Sequence, residues 1–240
     1  MSSVPSFKLN TGADAPAIGC GCWAGFTKEE QDAAKDWILM AIKYLIHWPL
    51  TLVYEDDNFF PMGPDGVLKT TDYPFTKTWA ALEKLHESGK AKAIGVSNFS
   101  VKTLEELLKT AKIVPADNQV ELHPYLIQED LVNYCKERGI TVTAYASTGY
   151  KVVRENPLIV ELAEKYKVTS TQVILAWHIA RGIAVVPGSK NPEHQKENIN
   201  LPTLEAEDVK RISALNRNER LSNKPVNGMM HGCTVEQLGW

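Results

Sequence analysis

No apolar run in this chain of 240 residues approaches the ~20 consecutive residues that a membrane-spanning helix needs. No membrane partner is therefore expected. Charge of one sign is not in excess either, since 26 basic and 29 acidic side chains leave a formal net charge of −3. Recognition of a polyanion such as DNA demands a basic face, so no nucleic-acid partner is expected. Cysteine is scarce: Cys20, Cys22, Cys135 and Cys233 are scattered through a chain too long to need disulfide staples. They read as reduced thiols of a cytosolic protein. Cys20 and Cys22 have one residue between them and no second Cys/His pair nearby, which is not zinc-ligand spacing, and no metal site is expected. The opening MSSVPSFKLNTG lacks the apolar core of a signal peptide, so a cytoplasmic location is expected. No G-x-G-x-x-G follows a strand-like run, which counts against a doubly wound dinucleotide-binding sheet.

What the chain does contain is an alternation of helix and strand patterns. Apolar residues at helical spacing predict helices from Lys28 to Lys43, Thr76 to Ser88, Gln128 to Arg138 and Glu205 to Asn216, with others starting after Ser100 and Thr169. Asn156-Pro157 and Asn191-Pro192 each read as an N-cap followed by proline in the first turn. Between the helices lie short apolar runs: a strand ending at Trp23, then Tyr44–Trp48, Ala93–Ser97, Asn118–Leu122, Thr141–Tyr145 and Ile183–Pro187. Continuous apolar strands separated by amphipathic helices indicate a parallel sheet covered by helices.

Polar residues collect at the C-terminal ends of these strands: His47, Ser97-Asn98, Gln119 with Glu121, Tyr145 and Ser189. A (β/α) barrel places its active site there. The expected fold is a TIM-type parallel (β/α) barrel forming a single domain over residues 1–240. One junction departs from that pattern. The helix ending at Lys43 runs into the strand beginning at Tyr44 with no turn residue, whereas helix-to-strand connections usually take ~2–6 residues.

The stretches GCGCWAGF, YLIHWPL, AIGVSNF, DNQVELHPY, ITVTAYAST and VVPGSKNPEHQKENI, in this order, resemble the successive strands of the aldo-keto reductases. The closing TVEQLGW is most similar to the fungal branch that reduces small sugars, glyceraldehyde or other aldehydes. The resemblance implies an N-terminal β-hairpin around Phe7 to Ile18, then eight βα units. Six strand patterns are present, so the second and third units are missing, which puts an internal deletion at the 43/44 junction. The resemblance also implies a monomer, with self-association expected if the barrel is open.

The same likeness assigns roles. His47 in IHWP matches the histidine that orients a substrate carbonyl; without it, His47 reads as a strand-end histidine bonded to backbone. Trp23 and Trp48 match walls of the substrate pocket. Ser97, Asn98 and Gln119 match the groups that bond the nicotinamide carboxamide, and Tyr145 the ring on which nicotinamide stacks. Ser189, His194, Glu197 and Asn198 match the phosphate and adenine end. The implied cofactor is NADP(H). NAD(H) is the alternative, because Gly188 and His194 occupy positions that usually carry lysine and arginine. The family's catalytic aspartate, tyrosine and lysine belong to the missing strands and find no match, so reduced or absent turnover is expected. Tyr44, Tyr54 or Tyr73 could replace the acid only with a lysine at hydrogen-bond distance. Two further readings stay open: a non-catalytic module that binds cofactor or a partner, and a splice or gene-model fragment that does not fold alone.

Overall fold

The computed structural model describes residues 5–19, 43–55, 58, 60–230 and 232–240. The expected helix from Lys28, the strand ending at Trp23, and Cys20, Cys22, Phe59 and His231 lie outside the described residues.

Two short strands open the chain, β1 (Ser6–Lys8) and β2 (Asp14–Pro16), paired antiparallel with Phe7 opposite Ala15. They form the hairpin expected around Phe7 to Ile18. A five-stranded parallel sheet follows: β3 (Lys43–Ile46), β4 (Ala93–Ser97), β5 (Asp117–Glu121), β6 (Thr141–Tyr145) and β7 (Ala184–Val185), in that spatial order. Residues 17–19 add a sixth segment beyond β7. Ile18 bridges Val185 in parallel, with Gly19 N–H donating to Val185 O at 2.8 Å and Val185 N–H to Ala17 O at 2.9 Å. Strands that neighbour one another in chain order, with the first segment beside the last strand, make a barrel wall. A doubly wound sheet would reverse its order. Among the described residues, no pairing joins residues 17–19 to β3.

Helices cover the outer face. They are α1 (Phe75–Glu87), α2 (Val101–Leu108), α3 (Glu129–Glu137), α4 (Tyr150–Arg154), α5 (Pro157–Tyr166), α6 (Ser170–Ala180), α7 (Pro192–Ile199) and α8 (Ala206–Ser213). Their starts follow local chemistry. Ser100 Oγ accepts from Thr103 N–H at 3.2 Å, Asn156 Oδ1 from Leu158 N–H at 3.0 Å, and Thr169 and Gln172 close a reciprocal capping box. Trp79, Trp177, Phe99 and Leu107 are fully buried between helices and sheet. The hairpin closes the other end: Leu9 and Ala15 pack on Ala93 and Ala116, at the starts of β4 and β5. The strand C-termini are left as the end where a site can form.

Three local readings need correction. Lys43, expected as the last residue of a helix, is the first residue of β3 and pairs with Ala93, because the sheet claims its backbone. β7 is two residues long rather than Ile183–Pro187, since Pro187 has no N–H to extend the ladder. Helix α4 and the tail hairpin β8 (Met229–Met230) with β9 (Cys233–Thr234) were not anticipated, being too short to show a period.

Gly95 sits where β3, β4 and β5 crowd together. A β-carbon there would lie 2.6 Å from Asp117 O and 2.7 Å from Leu45 Cδ2. Gly95→Ala is expected to lower stability by roughly 1–3 kcal/mol in urea unfolding, because backbone must shift to admit the methyl group. An unchanged midpoint would contradict this packing. His178 on α6 is wholly buried, with Nε2 at 2.9 Å from Ser147 O, and burial pushes its pKa down to about 3 from 6.5. Between those pH values the unfolded chain binds a proton that the folded chain does not. Stability is therefore expected to fall as pH drops through that window, with a slope from this residue approaching ~1.4 kcal/mol per pH unit. Urea titrations of wild type and His178→Gln should differ in slope there, and parallel curves would count against it.

Candidate functional site

At the strand C-termini lies a cavity of about 810 Å³, a size suited to a small-molecule ligand. Parallel pairing explains its polar residues. Each strand delivers the residues at its carboxyl end to the same rim: His47 and Trp48 from β3, Ser97 and Asn98 from β4, Gln119 from β5, Tyr145 from β6, and Val186 after β7. Six of the sequence-selected residues therefore share one cavity. Trp23 lies outside the described residues.

The polar members are bonded to one another. Asn98 is 3% exposed and has φ +60°, a left-handed conformation that asparagine tolerates better than most residues. From there its Nδ2 donates to His47 O at 3.0 Å and Ser97 Oγ at 3.2 Å, while its Oδ1 accepts from Tyr145 OH at 2.6 Å. Ser97 Oγ donates to Gln119 O at 2.8 Å. The Tyr145 hydroxyl also accepts from Asn223 Nδ2. The Gln119 side-chain amide makes no hydrogen bond to a described residue. Its donors and acceptor are therefore available to a ligand. A carboxamide is a chemical match for it, since each partner brings one acceptor and two donors.

Polar and apolar parts of the cavity come from different sources. Beyond His47, the segment 50–70 and the tail 229–238 dock on each other through Leu68, Met230, Cys233 and Leu238, with Trp48, Leu50, Leu52, Phe60 and Trp240 packed around them. Phe60 lines the cavity, whereas Tyr54 is 56% exposed and outside the lining. The tail reaches this position over Glu121, which is fully buried at the end of β5. Its carboxylate accepts from Leu221 N–H at 2.6 Å, Ser222 N–H at 2.7 Å and Asn223 N–H at 3.0 Å. Burial raises the Glu121 pKa, but the His123 ring and those three amides hold it below the ordinary glutamate value.

Ser189, His194, Glu197 and Asn198 do not line the cavity. They lie on the loop after β7 and on α7, which begins at Pro192, beyond the cavity-lining Val186. His194 is exposed, Glu197 half-buried and Asn198 buried. The start of α7 is poorly suited to an extra phosphate. Asn191 Oδ1 already accepts from Glu193 N–H at 2.9 Å, Asn191 N–H is given to Ser189 Oγ at 3.1 Å, and Lys196 is paired with Glu193 at 3.0 Å. Glu193 in the first turn partly offsets Lys196, and the exposed Lys190 stands beside this helix start.

Proton donors are few. No lysine, aspartate or glutamate is among the described residues lining the cavity. Tyr145 is the tyrosine in the lining, and burial followed by the Glu121 charge pushes its phenol well above the ordinary range. Tyr54 and Tyr73 are 56% and 49% exposed, and Tyr44 is half-buried; none of the three lines the cavity. Ser222, Asn223 and the apolar tail residues were not foreseen individually. Glu121 carried a signal, because alternation along β5 puts Asp117, Gln119 and Glu121 on one face.

Residues 43–217 match the family model described as the aldo/keto reductase family. The chain is 42% identical over 189 residues to aldo-keto reductase family 1 member A1-A of Danio rerio, covering 74% of this chain and 58% of that protein. It is 41% identical over 186 residues to a glycerol 2-dehydrogenase (NADP(+)) of Saccharomyces cerevisiae, covering 72% and 59%. An aldehyde reductase of the same yeast is 40% identical over 186 residues, again covering 72% and 59%. The chain thus spans somewhat under three-fifths of the length of these relatives. With the ordered parallel wall, the rim of strand-end polar residues and the match over most of its length, the chain belongs to the aldo/keto reductase family.

Proposed function

We propose that the chain binds a nicotinamide dinucleotide across its strand C-termini, beside a pocket for a small carbonyl compound, and reduces that compound far more slowly than a full-length relative. The observation that carries this reading is the gathering of Ser97, Asn98, Gln119 and Tyr145 at one end of a cavity of about 810 Å³, with the Gln119 amide making no hydrogen bond to a described residue. When bound, a reduced nicotinamide supplies hydride to a carbonyl carbon. Ser97, Asn98 and Gln119 hold the carboxamide of such a group, and the Tyr145 ring forms the surface beneath it. His47 orients the carbonyl oxygen, while Trp48 bounds the pocket. The names of the yeast relatives support a small polyol-derived ketone or an aldehyde as substrate, and the first of them supports NADP(H) as cofactor. Ser189, His194, Glu197 and Asn198 serve the adenosine end. The near-neutral start of α7 supports weak discrimination between NADP(H) and NAD(H).

Slow reduction follows from the proton. The oxygen that receives negative charge needs a donor, and the lining offers a tyrosine whose phenol is pushed up rather than down. General acid catalysis is typically worth ~10²–10⁴-fold. A second reading, favoured by the mutual hydrogen bonding of Asn98, Tyr145 and Asn223, is a cofactor-binding module with no turnover.

Titration by quenching of tryptophan fluorescence is expected to give dissociation constants for NADPH and NADH within about tenfold of each other, a difference of ~1.4 kcal/mol. NADPH binding far tighter than that would overturn the reading of the phosphate end. Gln119→Ala is expected to weaken both cofactors alike by about 0.5–1.5 kcal/mol, the worth of a neutral hydrogen bond. Oxidation of NADPH with glyceraldehyde should run at least ~100-fold slower than in a full-length relative. Equal rates would mean that a proton donor operates here after all, and absence of any nucleotide binding would end both readings.

A further inference from the structure

We infer that Glu121 is a positioning residue: by clamping residues 220–223, its carboxylate makes the tail a wall of the cavity. The clamp joins positions about a hundred residues apart, with the Glu121 oxygens accepting from the backbone N–H groups of Leu221, Ser222 and Asn223. The His123 ring lies 3.2 Å from the same carboxylate and the Arg220 guanidinium 3.7 Å. Three consecutive amides turned onto one anion form a concave nest of the kind that binds anions elsewhere. Here the anion is the chain's own side chain.

What the clamp holds is cavity wall. Ser222 and Asn223 line the cavity directly, and Asn223 Nδ2 donates to the Tyr145 hydroxyl. Arg220, held at Glu121 on one side, lies over the Trp240 ring at 4.1 Å, and Trp240 packs against the apolar tail cluster. One buried carboxylate thus fastens the tail at two points, beside Tyr145 and beneath Trp240. Replacing one of its oxygens by an amide NH2 turns an acceptor into a donor against these amides and leaves the guanidinium without its counter-charge, each of which costs free energy in a buried setting. The strain falls on the tail, which has few other backbone ties to the sheet. The strands keep their own ladders.

The test is Glu121→Gln in the full chain, with amide hydrogen exchange followed by mass spectrometry and NADPH binding followed by fluorescence. The expected result is loss of protection at residues 221–223 and 229–234, with β4, β5 and β6 still protected, and weakened NADPH binding. Unchanged exchange in the tail would overturn the inference. So would equal loss of protection throughout, which marks a residue of general structural importance. Should Glu121→Gln fail to fold, Arg220→Leu keeps the carboxylate and its amides while removing the tie to Trp240. It should loosen residues 234–240 more than 221–223, and tail exchange like wild type would overturn the inference. The cavity's role as a cofactor site, on which the binding readout rests, is separable. A wild type that binds no NADPH defeats that reading, while the exchange pattern still decides the clamp.

Discussion

Parallel hydrogen bonding across β3 to β7 is the constraint from which the rest follows. It points every strand the same way, so residues in or just past the C-terminal halves of β3, β4, β5 and β6 arrive at one rim. The N-terminal hairpin fills the opposite end with Leu9 and Ala15. No long-range design of individual contacts is required to bring His47 near Asn98 or Tyr145. Neighbouring strands in register do it, and only the final rotamers and caps are left to local chemistry.

Those local choices preform the polar end of the cavity. Asn98 in a left-handed conformation spends its amide on the His47 carbonyl, Ser97 and Tyr145. This holds Tyr145 in place before any ligand arrives, which lowers the ordering cost of binding. It also means that a ligand reaching for Ser97 or Asn98 must exchange existing bonds, whereas at Gln119 it makes new ones. The two effects oppose each other, and the number of polar groups already paired makes the second the more limiting.

Much of this was legible in the sequence, for physical reasons. Continuous apolar runs such as Ala93–Ser97 can be buried on both faces only inside a helix-covered sheet, and all five of those residues are buried. Caps at Ser100, Asn156, Thr169 and Asn191 depend on side chains within three residues of the helix start, so they read directly. The strand-end polar residues could be picked out because strand ends were recognisable. Illegible were contacts that depend on distant closure. Nothing near Glu121 announces that amides a hundred residues later will fold onto it, and nothing in a tail rich in small and polar residues announces the pairing of Met230 with Cys233. The crowding at the start of α7 was half visible: the glycine and histidine are in the sequence, but the pairing of Lys196 with Glu193 needed coordinates.

The segment 50–70 and the tail meet at a tight seam. Leu68 N–H donates to Gly232 O, and Gly232, at φ +77°, has Leu68 and Met62 atoms within 3.2 Å of where a side chain would begin. The two segments come from opposite ends of the domain in sequence, yet they share this contact and one apolar cluster. Together they form one continuous cover over the pocket. A bulky residue at the seam would alter the shape of the entrance without touching any group that handles the ligand.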